Sequence, residues 1–140
     1  MINTIIEATQ NFCIHQIRIP HTTHDKPSKT RTLIAYIDID MQSGEKHRVY
    51  ISADEAFVQR VSKIFLEEDS SDEETLKDML LETTNLIVGS AKVLAENSEN
   101  PYTINTPHFE KIGNFDFDYD KIKVIQIEDD KVTVAIKELD

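Results

Sequence analysis

From Asp72 to about Glu96 the chain runs without proline through a spacing of apolar residues that suits a long amphipathic helix. Stepping about 100° per residue from Leu76 puts Leu76, Met79, Leu80, Thr83, Leu86, Ile87, Ser90, Ala91 and Leu94 on one broad stripe. A stripe that wide has to be covered, and segments on both sides of it alternate as strands do. In Thr32 to Asp40 the side chains of Leu33, Ala35, Ile37 and Ile39 share one face, while Thr32, Tyr36, Asp38 and Asp40 mostly share the other. Gln42-Ser43-Gly44-Glu45 turns that strand into His47 to Ile51, which makes a hairpin. Lys121 to Glu128 and Val132 to Leu139 flank an Asp129-Asp130-Lys131 turn as a second hairpin, and Tyr102 to Asn105 reads as a short strand.

Ile2, Ile5, Ile6, Ala8, Phe12 and Cys13 recur at helical spacing and predict a first helix over Ile2 to Cys13. Ser52 with Glu55 and Ser71 with Glu74 have capping-box spacing, so two central helices are expected to start near Ala53 and Asp72. The acidic run Glu67 to Glu74 between them reads as a solvated loop whose last carboxylates favour the helix N-terminus. His21 to Thr30 is polar, contains a proline and reads as a loop, and Asn97 to Pro101 breaks the long helix. No repeat or low-complexity segment interrupts this order. The expectation is a single α+β domain over residues 1–140, an antiparallel sheet packed by an N-terminal helix and two central helices. A chain of this length buries roughly two-thirds of its unfolded surface and needs no disulfide or metal to hold a core.

Charge and composition exclude several function classes. Fifteen Lys and Arg against 26 Asp and Glu leave a net charge of -11, which argues against a nucleic-acid or anionic-membrane binder. The three glycines, Gly44, Gly89 and Gly113, are too far apart for a dinucleotide-binding loop, a Walker loop or a nucleophile elbow. The first residues, Met1 to His15, lack a basic start and read as neither signal peptide nor anchor. No apolar run approaches the roughly 20 residues of a membrane span, and the lone Cys13 suits a cytoplasmic protein.

Few side-chain groupings suggest chemistry. His21 and His24 lie close in a loop with Asp25, but a zinc site lacks a further nearby ligand. Asp116, Asp118 and Asp120 alternate like the start of a calcium loop, yet Lys121 stands where its glycine belongs and Ile127 where its closing glutamate belongs. No metal site is therefore expected. Cys13 lies on the apolar stripe of the first helix and reads as a buried thiol. Opposite the stripe of the long helix fall Asp78, Glu82, Asn85, Gly89 and Lys92, with Leu81 and Val88 at one margin. A mid-helix glycine costs about 1 kcal/mol against alanine, and on an outward face it suggests that something approaches the backbone. From periodicity alone this is an ordinary solvated face, because Glu-x-x-Asn is a common spacing.

With these residues in view, the sequence resembles the CheX family of chemotaxis phosphatases, relatives of CheC, of FliY and of the central domains of flagellar switch proteins. INTIIEATQNFC looks like the family's opening helix, and ETTNLIVGSAK resembles its active-site helix. The family pattern is a Glu and an Asn separated by two residues, with an Asp or Ser four residues before the Glu and a proline further on. Glu82, Asn85, Asp78 and Pro107 match it, and Gly89 and Lys92 match common family residues. Ser90 departs from the usual Asn and projects onto the core stripe. HFEKIGNFDFDYDK, after Pro107, aligns only loosely and sets no strand order. One Glu-x-x-Asn helix is present, as in CheX, where CheC-like proteins often carry two.

The resemblance implies hydrolysis of the aspartyl-phosphate of a CheY-type response regulator in chemotaxis signalling. Glu82 and Asn85 would be the catalytic pair, with Asp78, Leu81, Val88, Gly89, Lys92 and Pro107 against the partner. An aspartyl-phosphate is a reactive acyl phosphate, so its transfer to water needs positioning more than a strong base. The amide of Asn85 carries a donor and an acceptor suited to orienting a water, and Glu82 would pair with the receiver's active-site lysine. The Mg2+ belongs to the receiver, so the chain is expected to bind no cofactor of its own. Family members commonly dimerise through their sheets, and an open edge in the C-terminal strands suits a homodimer. The alternative is a noncatalytic adaptor that docks a response regulator or flagellar switch component through the same helix face.

Overall fold

The computed structural model describes residues 2–25, 31–96 and 101–139. Among these, three α-helices pack on one face of a seven-stranded antiparallel sheet, the expected α+β arrangement. The helices are α1 (Ile2–Phe12), α2 (Glu55–Leu66) and α3 (Glu73–Ala95). The strands are β1 (Thr22–His24), β2 (Thr32–Met41), β3 (Lys46–Asp54), β4 (Tyr102–Ile104), β5 (His108–Gly113), β6 (Lys121–Ile127) and β7 (Asp130–Leu139). Their order is β1-β6-β7-β3-β2, and both β4 and β5 pair with the outer edge of β2. Among the described residues, no helix is long and apolar enough to cross a membrane.

Alternation in β2 sends Leu33, Ala35, Ile37 and Ile39 into the core beneath the helices. Ile34, on the opposite face, joins Tyr50 and Ala135 in a second small cluster. The segment between β5 and β6 covers that cluster, with the Phe117 ring stacked on Tyr50 at 4.8 Å. Each fully buried Ile, Val or Phe contributes about 1.5–3 kcal/mol, so the two-sided burial of β2 holds it firmly in the sheet.

Several boundaries differ from the sequence expectations. β1 occupies part of the expected loop over His21 to Thr30, of which residues 26–30 lie outside the described residues. Ser52 does not cap a helix. It sits in β3, buried, with its hydroxyl 2.5 Å from Thr32 Oγ1, and the helix starts at Glu55 after Asp54. Nor does Ser71 cap α3: Asp72 does, its carboxylate accepting the Thr75 N–H at 2.8 Å, while Ser71 bonds to Gln59, Ser62 and Glu68. The first helix ends in a π-helical turn over Cys13–Ile17, closed by Arg18 N–H donating to the Cys13 carbonyl at 2.7 Å. The final hairpin turns at Glu128 and Asp129, one residue early, with Glu128 at φ 54°. The break expected over Asn97 to Pro101 falls mostly on residues 97–100, outside the described residues. The C-terminal strands do not form an edge, because β7 lies inside the sheet and β1 covers part of β6.

The apolar stripe of α3 also runs differently. Leu86, Ser90 and Leu94 are exposed, whereas Thr84, Val88 and Ala95 are buried. The buried positions follow two seams of four-three-four spacing, Leu76, Leu80, Thr83, Ile87 and then Thr84, Val88, Ala91, Ala95. A seam with that 3.5-residue period drifts by about 20° per heptad against a straight helical wheel, so burial rotates along a helix that contacts β2, α1 and α2.

Candidate functional site

The long helix is set in its rotation by what it buries. Asp72 fixes its first turn, and midway Thr83 and Thr84 point inward, each hydroxyl donating to the carbonyl four residues back at 2.7 and 2.8 Å. A buried hydroxyl satisfied in this way costs little to bury. With both threonines turned in, Glu82 and Asn85 on either side of them are turned out, and both are exposed.

They face a cleft of about 680 Å³. One wall is α3, with Asp78, Leu81, Glu82 and Asn85; the other is the end of β4 and the turn after it, with Ile104, Asn105, Thr106 and Pro107. Leu81 is half-buried against the core together with Ile104. Beside the cleft Lys77 joins α3 to β5, its ammonium 5.2 Å from the centre of the Phe109 ring and paired with Glu73 and Glu74.

Of the residues singled out in the sequence, Asp78, Leu81, Glu82, Asn85 and Pro107 therefore come together at one cleft. Gly89 and Lys92 lie beyond it along α3 and are partly exposed. A Cβ built at Gly89 would meet nothing within 4 Å, so no contact inside the protein calls for glycine there. Val88 is a correction. It is 0% exposed and packs in the core, because the second buried seam passes through it, and it cannot reach a partner. Of the exposed apolar residues of α3, Val93 is the most open at 61% exposed, whereas Leu86, 39% exposed, borders a separate groove with Ala8, Phe12 and Phe65. Asn105 and Thr106 were not singled out; the polar Asn105-Thr106-Pro107 step ending a short strand was the available signal.

The charge of the cleft narrows its chemistry. Its lining carries two carboxylates and two side-chain amides, with no Lys, Arg or His. Such a site repels a free phosphate dianion and attracts a cationic group. Among the described residues, no group of three His, Cys, Asp or Glu is placed to hold a metal ion. His24 Nε2 is 3.3 Å from Thr22 Oγ1 and Asp25 pairs with Lys123. Asp116 pairs with Lys111, and Asp120 accepts the Glu138 N–H. The Cys13 thiol is buried, which pushes its pKa up to about 12 and keeps it protonated.

Helices on one face of an antiparallel sheet, with a carboxylate and an amide one turn apart beside a cleft, define a helix-on-sheet domain with an open polar cleft. Residues 35–128 match the family described as chemotaxis phosphatase CheX, and the chain belongs to that family. The fold agrees with solved structures. Chemotaxis protein CheX from Vibrio vulnificus superposes with a TM-score of 0.80 at 17% identity, covering 99% of this chain and 98% of that one. A CheC-like chemotactic protein from Shewanella oneidensis gives 0.76 at 15% identity, covering 97% of both chains. The CheX–CheY–BeF3–Mg2+ complex from Borrelia burgdorferi gives 0.69 at 17% identity, also covering 97% of both chains. No curated protein matches the sequence.

Proposed function

We propose that the chain is a cytoplasmic phosphatase for the aspartyl-phosphate of a CheY-type receiver in chemotaxis signalling, and that the cleft between α3 and the Asn105–Pro107 turn is its docking and reaction site. The observation that carries the reading is the charge of the cleft. A lining of carboxylates and amides cannot hold a phosphoryl group by itself, but it complements a partner that brings the phosphoryl together with its own lysine and Mg2+. The CheX of Borrelia burgdorferi forms a complex with CheY, BeF3 and Mg2+, which supports a receiver as the partner here.

In this mechanism Glu82 pairs with the receiver's active-site lysine and brings α3 over the phosphoaspartate. Asn85, one turn away, holds a water in line with phosphorus through its amide. Water attacks phosphorus, the bond to the aspartate oxygen breaks, and the products are the free aspartate and inorganic phosphate. No residue of this chain has to act as a strong base, since the transition state is loose and the leaving carboxylate is a good one. Gly89 lets the receiver backbone approach α3, Leu81 and Val93 supply the apolar part of the contact, and Lys92 lies at its end. Asp78 lies one turn before Glu82 and adds to the negative field that receives the lysine. Pairing of two copies along the exposed β1 edge is the corresponding proposal for a homodimer.

The test is the loss of phosphate from CheY-type receivers labelled with acetyl phosphate in Mg2+. A substoichiometric amount of the protein is expected to accelerate that loss over several turnovers. Receiver binding without any acceleration would favour the adaptor.

A further inference from the structure

We infer that Asn105 is a positioning residue that sets the far wall of the cleft by anchoring a β-bulge to β2; the inference rests on the cleft being the receiver-docking site. β2 is paired along one edge by two short strands in different registers. Ile39 opposes Ile104 and Tyr36 opposes His108. The two residues Ile37 and Asp38 therefore face three, Asn105, Thr106 and Pro107. One extra residue on one strand bends it out of the ladder, and here the displaced segment becomes the wall that faces Glu82 and Asn85.

The segment cannot be held by ordinary ladder bonds throughout, because Pro107 has no N–H to give. Asn105 holds it instead. Its backbone N–H donates to the Asp38 carbonyl at 2.9 Å, and its side-chain Nδ2 donates to the same carbonyl at 3.0 Å and to Asp40 Oδ2 at 3.2 Å. The acceptor is itself fixed. Arg48 on β3 grips the Asp38 carboxylate through two bonds, at 2.7 and 3.0 Å, and lies 4.0 Å over the Tyr36 ring. A firmly held strand, a gripped aspartate and a three-bond asparagine thus fix where Thr106 and Pro107 stand.

Loss of the Asn105 amide leaves the backbone bond to Asp38 but frees the turn to sample positions that do not fit a docked receiver. Apparent affinity then falls by the fraction of time the wall is in place, while the rate within the docked complex is unchanged. The signature is a raised KM with an unaltered kcat, which a general loss of folded protein does not produce.

Steady-state dephosphorylation of acetyl-phosphate-labelled CheY-type receiver should be compared for the unmodified protein, Asn85→Ala, Asn105→Ala, Asn105→Asp and the swap Asp40→Asn with Asn105→Asp. Asn105→Ala is expected to raise KM roughly tenfold, the scale of one to two lost hydrogen bonds, with kcat held and Tm lowered only by the few degrees those bonds are worth. Asn105→Asp, which sets a carboxylate against Asp40, is expected to be worse, and the swap, which restores a donor between the two positions, to recover part of the loss. An unchanged KM in Asn105→Ala, a fall confined to kcat, or a swap no better than Asn105→Asp alone would overturn the inference. If the unmodified protein binds receiver without releasing phosphate, the phosphatase reading has failed on its own. The same comparison is then read from dissociation constants for receiver carrying beryllofluoride and Mg2+, where a ranking other than the expected one overturns the role of Asn105.

Discussion

Glu82 and Asn85 face solvent from a single turn of α3 while the two threonines between them are buried and bonded to carbonyls of the preceding turn. The same contacts that set the helix on the sheet therefore aim the carboxylate and the amide. On the proposed mechanism, stability and function lie on opposite sides of α3, and substitutions there should separate the two.

Gly89→Ala tests that separation most simply. The added Cβ meets nothing inside the protein, and alanine is favoured over glycine in a helix interior by about 1 kcal/mol. Chemical denaturation is expected to show a more stable protein. The receiver-dephosphorylation assay is expected to show a slower one, with the loss in KM. A variant that gains stability and keeps full activity would remove Gly89 from the docking face.

Val88 and Val93 make an opposed pair, one fully buried and the other 61% exposed. Val88→Ala is expected to cost about 2 kcal/mol, since it empties part of a packed core, and to leave receiver binding intact at temperatures where the protein stays folded. Val93→Ser, at a 61% exposed site, is expected to leave the unfolding midpoint nearly unchanged and to weaken receiver binding. Titration of each variant with beryllofluoride-loaded receiver, beside a denaturation curve, distinguishes the two.

Asp72 carries a pH prediction. Hydrogen bonds from the Thr75 hydroxyl and N–H hold its carboxyl below the ordinary value of 3.8. A carboxyl depressed in the folded state stabilises fully above its unfolded pKa, and that contribution is lost as pH falls through the folded value. Asp72→Ala is expected to lower Tm at neutral pH, with the gap to the unmodified protein narrowing in strong acid, where the protonated carboxyl still accepts the Thr75 N–H but has lost its charge. Asp72→Asn, which retains a capping acceptor, is expected to keep most of the neutral-pH Tm. A gap that persists unchanged into strong acid would contradict the cap.

The legible part of this protein was local. The start of α3 near Asp72, though not the residue that caps it, the spacing of Glu82 and Asn85 and the alternation of β2 all depend on neighbours within a few residues, and the family pattern rests on the same short motif. A fixed helical wheel missed Val88 because the buried seam follows a 3.5-residue spacing and rotates as the helix proceeds. β5 was hidden because Glu110 and Lys111 break its alternation, and its burial is only partial. Asn105 was hidden for a deeper reason: its role comes from pairing two distant strands with β2 in different registers. Nothing in the sequence around it states that register.

Salt should separate the two site residues. If Glu82 pairs with a receiver lysine on docking, as proposed, Glu82→Ala is expected to raise the dissociation constant for receiver at low salt, with the difference shrinking as ionic strength rises. Isothermal titration across a salt series measures it. An effect of Glu82→Ala that is independent of salt would point to packing instead of charge.

The most direct measurement is single-turnover release of phosphate from a phosphorylated CheY-type receiver saturated with either the unmodified protein or Asn85→Ala, with receiver affinity measured in parallel. The account predicts near-equal affinity and a rate reduced roughly 10²-fold or more by loss of the one amide that orders the water. A folded Asn85→Ala protein that binds the receiver equally well and releases phosphate as fast as the unmodified protein would contradict it.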